Sequence, residues 1–281
     1  MADDKGKAIT SARPASIPIL CLYPVSHHMS YRFSAKIYWE YLQTQGIAPK
    51  IAPPHTLILA MQAPPINWWQ RRFWHQQVHG FTADIILLRQ TAGEVGIASR
   101  IGIGGPATAA LLEMVALWGV KNLVLLGFAG SLQANIPSGA IILPTMAIGN
   151  DGASAHYYPP HQSNMIENRS DWTNQLYQYL AIHFSTHQGA VWSTAAPYRE
   201  TDHQIDQYSQ QGICAVDMET AALFAVGQAL NLQTAAVLIA HDSLSQKKWE
   251  PAPDLVLLQQ TAAQLYQKLI PYLADHSGAT S

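Results

Sequence analysis

Ala215-Val216-Asp217-Met218-Glu219-Thr220-Ala221-Ala222 reads as the end of a buried strand running straight into an apolar helix, with two carboxylates at the junction. Side chains alternate along an extended backbone, so Asp217 and Glu219 project to one side and Met218 to the other. Acids at such a junction either satisfy the free N–H groups and positive dipole of the helix start or hold a polar ligand. On these residues alone the capping use is the simpler reading.

The same strand-to-helix grammar extends in both directions. Upstream lie strand-like runs at 84–88 and 95–101 around the turn Ala92-Gly93-Glu94, and then Gly102-Ile103-Gly104-Gly105-Pro106 leading into a helix over 107–118. Pro106 suits the first helical turn and Gly119 the stop. Residues 122–126 form a buried strand that ends in Gly127-Phe128-Ala129-Gly130-Ser131, and another strand is expected at 140–144. Asp151-Gly152-Ala153-Ser154-Ala155-His156 opens a turn-rich excursion, followed by a helix near 172–182 and a strand at 189–194. Downstream, a strand over 234–240 ends in His241-Asp242-Ser243, and an amphipathic helix covers 254–272. This alternation predicts one α/β domain with a mixed, mostly parallel central β-sheet flanked by helices.

The domain is expected over 17–274, between a disordered N-terminus (1–16) and a flexible tail (275–281), with a first strand at 17–23 and a helix from about 30 to 42. Residues 49–80 break the pattern. Pro49, Pro53, Pro54, Pro64 and Pro65 interrupt a segment that holds Trp68, Trp69, Arg71, Arg72, Phe73 and Trp74, which reads as an insertion packed on the core.

Composition excludes several functions. Of 281 residues 48% are hydrophobic and only 12% charged, which suggests that part of the surface is covered in a homo-oligomer. A net charge of −2 gives no electrostatic case for nucleic acid or an anionic membrane. Cys21 and Cys214 sit in apolar runs and make neither a disulfide framework nor a metal site. With no apolar signal core and no run long enough to span a bilayer, a cytoplasmic protein is expected.

In sheets of this kind ligands gather beyond the carboxyl ends of strands. The unusual residues at 127–131, 217–219 and 241–242 fall there, and the glycines at 102–105 let backbone approach a ligand closely. The glycine turn lacks the spacing of a dinucleotide fingerprint. Asp242 can cap a turn or do chemistry. It is the combination that points to a ligand site.

The order and wording of these motifs resemble the nucleoside phosphorylase superfamily, which includes uridine and purine nucleoside phosphorylases and methylthioadenosine nucleosidases. The resemblance runs from about residue 84 to 272 and rests on the glycine turns, Asp151–His156, the Met218-Glu219 pair and His241-Asp242. It implies a nine-stranded mixed sheet assembled as dimers or hexamers, no cofactor or metal, and phosphate as co-substrate. It also implies that Glu219 and Asp242 are catalytic: Glu219 accepts hydrogen bonds from the ribose 2′- and 3′-hydroxyls, and Asp242 assists N7 of a departing purine. The implied substrate contacts are Met218, Asp217, Gly104, Gly130, Ala129, Phe128, Tyr198 and His241.

The departures from the family pattern fall at phosphate. The family's Gly-Asp-Pro-x-x-Arg loop follows its first strand, where this chain reads Pro24-Val25-Ser26-His27-His28, and a second arginine position holds Leu125. Phe128 replaces a small hydroxylated residue. Arg32, Arg100, Arg199 or an arginine of the Trp-rich segment from a neighbouring subunit are the candidate cations. The expected function is phosphorolysis of a purine nucleoside. Hydrolysis with water is the alternative, with His27 or His28 standing where a nucleosidase's early Glu would. A non-catalytic nucleoside-binding or storage protein is the alternative of another class.

Overall fold

Runs of β-branched and leucine residues, each closed by Gly, Pro or Asn, build the sheet of this protein. The structure, a computed structural model, describes residues 31–61, 75–158, 164–246 and 248–276. The expected first strand at 17–23, His27, His28 and the Trp68–Trp74 cluster lie outside the described residues.

Helix α1 (Ala35–Thr44) precedes β1 (Thr56–Ala60), β2 (His75–Val78), β3 (Asp84–Leu88) and β4 (Val95–Ser99). Then come α2 (Gly105–Trp118), β5 (Asn122–Ser131), β6 (Ile141–Asn150), β7 (Met165–Glu167), α3 (Trp172–Ala181) and β8 (Thr186–Thr194). The chain continues through α4 (Asp202–Gln210), β9 (Ala215–Asp217), α5 (Thr220–Ala229), β10 (Gln233–Ser243) and α6 (Leu255–Asp275).

All ten described strands join one mixed sheet in the order β10-β6-β8-β9-β5-β1-β4-β3-β2, with β7 on β6. β10 also pairs with β5, so β5, β10, β6, β8 and β9 close into a ring and β1-β4-β3-β2 leave it as an open extension. Parallel pairing joins β1 to β4 and β5, β10 to β5, and β8 to β6 and β9. Antiparallel pairing joins the edge hairpins and the contacts of β9 with β5 and β10 with β6.

Two expectations change here. The proline-interrupted stretch 49–80 contains β1, a fully buried strand between β4 and β5, as well as β2 at the edge. Its prolines flank the apolar run Thr56–Ala60 and do not enter it, so every ladder N–H is retained. The motif Gly127–Ser131 is also not a turn beyond the strand but the last five residues of β5 itself. Backbone pairing continues through it, with Ala240 opposite Ala129 and Val216 opposite Gly130. Likewise α6 runs to Asp275, into the stretch read as tail.

Helices cover both faces. Leu112 and Val115 of α2 and Leu223 and Phe224 of α5 pack with Leu57, Leu123 and Leu125 on one side, while Leu176 and Leu180 of α3 and Leu265 and Leu269 of α6 pack with Ile58, Val124 and Val237 on the other. Every residue of α5 from Thr220 to Gly227 is buried. Fully burying a side chain such as Phe224 contributes about 1.5–3 kcal/mol. This rigid packing fixes the start of α5, and with it the Asp217-Met218-Glu219 junction.

Candidate active site

The ends of β1, β5, β8 and β10 converge with the β9–α5 junction on one cleft of about 760 Å³. Of the expected site residues, Asp217, Met218, Glu219, Phe128, Ala129, Gly130, Tyr198, His241 and Asp242 all line it. Tyr198 lies at its mouth, 98% exposed.

Glu219 is buried and its Oε1 accepts the N–H of Gly104 at 2.6 Å. That bond explains the glycine turn. Gly102 and Gly104 take φ of +104° and +86°, a left-handed backbone that swings the Gly104 amide towards Glu219 at the start of α2. Gly104 was expected to touch substrate, but it is not among the cleft walls, because its amide is committed to Glu219. The neighbouring Gly105 is required by packing. A Cβ there would fall 2.8 and 2.9 Å from Cγ and Cβ of Asp151. Asp151 is itself buried, accepting N–H groups of Ala153 and Ser154 at 3.2 and 3.0 Å and the Ser154 hydroxyl.

Burial pushes the Glu219 carboxyl up to about 7, and the negative charge of Asp217 adds to the shift against the opposing Gly104 bond. Asp217 borders the cleft, yet both its oxygens are occupied by protein donors. Oδ1 accepts the Ser193 hydroxyl at 2.5 Å, and Oδ2 accepts the N–H and hydroxyl of Thr220 at 2.8 and 2.5 Å and the N–H of Glu219 at 3.3 Å. Ser193 in turn accepts the N–H of Ala221 at 2.9 Å. Asp217 therefore caps α5 and orients Glu219, and burial raises its carboxyl above the ordinary range in spite of these bonds. Of the two acids of the junction, Asp217 is thus committed to the helix start, while Glu219 bonds the Gly104 amide and lines the cleft.

On the opposite wall Asp242 Oδ2 accepts the indole N–H of Trp249 at 2.7 Å, and His241 Nδ1 lies 3.2 Å from Oδ1. The His241 ring meets Phe128 edge-on at 5.1 Å. Glu200, just past the turn Pro197–Arg199, lines the same cleft. Its carboxyl is pushed up to about 7 by burial and then by the charge of Asp242.

Several lining residues escaped sequence reasoning: Glu200, Trp249, Met61 and Leu244. For Glu200 the available signal was an acid shortly beyond the carboxyl end of β8. For Met61 it was the apolar run of β1.

The candidate cations are placed elsewhere. Arg100 pairs with Asp84 at 3.4 Å on the exposed surface, and Arg32 and Arg199 are exposed and do not line the cleft. Among the described lining residues there is no lysine or arginine. Met61, directly after β1, does line it, and the residues that follow it in sequence, 62–74 with Arg71 and Arg72, lie outside the described residues. Pro24–His28, the segment compared with the family's acceptor loop, lies outside the described residues.

A family model for the phosphorylase superfamily matches residues 73–271. The chain is similar to a uridine phosphorylase of Haemophilus influenzae, 26% identical over 169 residues, covering 52% of this chain and 63% of that protein. It is also similar to a guanosine phosphorylase of Halorubrum lacusprofundi, 26% identical over 147 residues, covering 51% and 59%. The chain thus spans about three fifths of the length of these curated relatives, at 63% and 59%. The fold matches that of a crystal structure of uridine phosphorylase from Vibrio fischeri with a TM-score of 0.61 and 20% identity, covering 82% of this chain and 93% of the other.

Proposed function

The chain belongs to the phosphorylase superfamily, and from that membership and the geometry of the cleft we propose that it cleaves the N-glycosidic bond of a nucleoside by phosphorolysis, preferring a purine base. The observation that carries the reading is the buried Glu219 carboxyl, fixed by the Gly104 amide and exposed to the cleft beside Met218. An ionised carboxylate forms strong charge-assisted bonds to a vicinal diol. Its charge also favours the oxocarbenium-like transition state that develops as the C1′–N bond stretches. Asp242 lines the same cleft, and a carboxyl beside the base would favour a purine, whose anion is a poor leaving group. The relatives' names span uridine and guanosine, so preference for a purine rests on Asp242. The reaction so written uses no cofactor.

A second reading, hydrolysis, is favoured by the lack of any lysine or arginine among the described lining residues, since a phosphate dianion taken from water needs cationic or multiple hydrogen-bond partners. A nucleoside panel with and without phosphate separates the two. Phosphate-dependent base release with formation of a sugar 1-phosphate is expected. Phosphate-independent release replaces phosphorolysis by hydrolysis, and no release from any nucleoside removes both.

A further inference from the structure

On the reading that the chain breaks a purine N-glycosidic bond, we propose that the proton given to the departing base comes from Glu200, with Asp242 as the ionised partner beside it. The hydrogen-bond arrangement separates the two acids. Asp242 has each oxygen turned to a ring nitrogen: Oδ2 accepts the Trp249 indole N–H at 2.7 Å, and Oδ1 faces His241 Nδ1 at 3.2 Å. Both oxygens of Asp242 are thus engaged by protein groups, which leaves neither turned freely to a base. Glu200 is the opposite case. It is half-buried in the wall of the same cleft, and among the described residues its carboxyl makes no hydrogen bond.

A half-buried carboxyl in a cleft that already holds a second carboxyl is costly to ionise, so it keeps its proton to higher pH. Burial and the Asp242 charge leave that proton on Glu200 up to about pH 7. Among the described residues, the other titratable groups facing the cleft are Tyr198 at its mouth, His241 on β10, and Asp217 and Glu219 at the β9–α5 junction, while the chain neighbours Arg199 and Asp202 are exposed. Trp249 and His241 are then positioning residues: they hold Asp242 as an acceptor and so hold the proton on its neighbour.

The step balances. The C1′–N9 bond breaks with its electron pair going to the purine, whose N7 takes the Glu200 proton, so the base leaves neutral. A phosphate oxygen forms the new bond to C1′. The proton that hydrogen phosphate loses on becoming an ester returns through solvent to the Glu200 carboxylate.

The test compares Glu200→Gln with the wild type on guanosine and on 7-methylguanosine, whose base already carries a positive charge and leaves without protonation. General acid catalysis is worth roughly 10²–10⁴-fold. The expected result is a fall of about 100-fold or more in kcat/KM on guanosine and less than about threefold on 7-methylguanosine. The wild-type rate on guanosine should also fall as pH rises through about 7, and that limb should vanish in Glu200→Gln. Asp242→Asn should move the limb to lower pH, because the charge that raises Glu200 is gone. Equal losses on both substrates, or no loss on either, overturn the assignment while the proposed function stands. Should Glu200→Gln not fold, Glu200→Asp and the wild-type pH profile on the two substrates decide, and identical profiles overturn it. A wild type that cleaves no nucleoside removes the proposed function itself.

Discussion

Glu219→Gln should make the protein more stable at alkaline pH and less active. In the folded protein the Glu219 carboxyl titrates at about 7, against about 4.3 in an unfolded chain. Below about pH 4 the group is protonated in both states and costs nothing. As pH rises towards 7 the unfolded chain releases this proton and the folded protein keeps it, so folded stability declines. Above 7 the folded protein carries a desolvated carboxylate beside Asp217, and the loss is complete. A shift of this size corresponds to an upper figure of about 3.7 kcal/mol at 1.36 kcal/mol per unit. Glutamine is neutral throughout and keeps an acceptor oxygen for the Gly104 amide. The variant should therefore match the wild type near pH 4 and exceed it by up to about 3.7 kcal/mol at pH 8.5, roughly 7–15 °C in Tm for a domain of this size. Urea titrations and thermal melts at several pH values measure the difference. Its activity should fall about 10- to 100-fold in kcat/KM, as charge-assisted bonds to the sugar diol become neutral ones. A stability difference that does not change with pH would refute the account of Glu219 as a buried acid, whatever the activity does.

Two further outcomes follow from packing and surface. Gly105→Ala drives a Cβ into Asp151, which its three hydrogen bonds hold in place, so the urea midpoint should fall by the equivalent of about 3 kcal/mol; an unchanged midpoint would show that the α2 start yields easily. The exposed Tyr31, Phe33, Ile37 and Tyr41 form an apolar surface on and before α1 that suits a homo-oligomer, and light scattering should give a mass of at least two chains, a monomer mass at micromolar concentration removing that proposal.

What could be read from the sequence was whatever local pattern decides. The apolar run at 122–126 had to be a buried strand, and Gly119 had to stop a helix. The two acids of the junction could be located but not assigned. Their division of labour depends on Ser193 and Gly104, far away in sequence, which bring a hydroxyl to one carboxylate and an amide to the other. β1 was hidden because five prolines around it dominate any local reading, while what makes it a strand is its pairing with β4 and β5. Trp249 had no local signature either, since it matters through its bond to Asp242, and the acid just beyond β8, Glu200, could be located but not its burial beside the Asp242 charge.

The acids of the cleft bear directly on the acceptor. A phosphate dianion entering a pocket with Glu219, Asp217, Glu200 and Asp242 on its walls meets repulsion unless some of those groups hold protons or cations balance them. Near neutral pH Glu200 and Glu219 are each close to half-protonated, which lowers the negative charge without removing the hydrogen-bonding groups. The remaining compensation needs positive charge or N–H donors at the acceptor position. The segment that starts from Met61 at the cleft edge carries Arg71 and Arg72 in its sequence. Phosphorolysis and hydrolysis therefore differ on one physical point, whether a cation reaches the side of the sugar opposite the base. On the proposed reading an ionised Glu219 would favour the oxocarbenium-like transition state with either acceptor, which is why base release by itself does not distinguish them and its dependence on phosphate does.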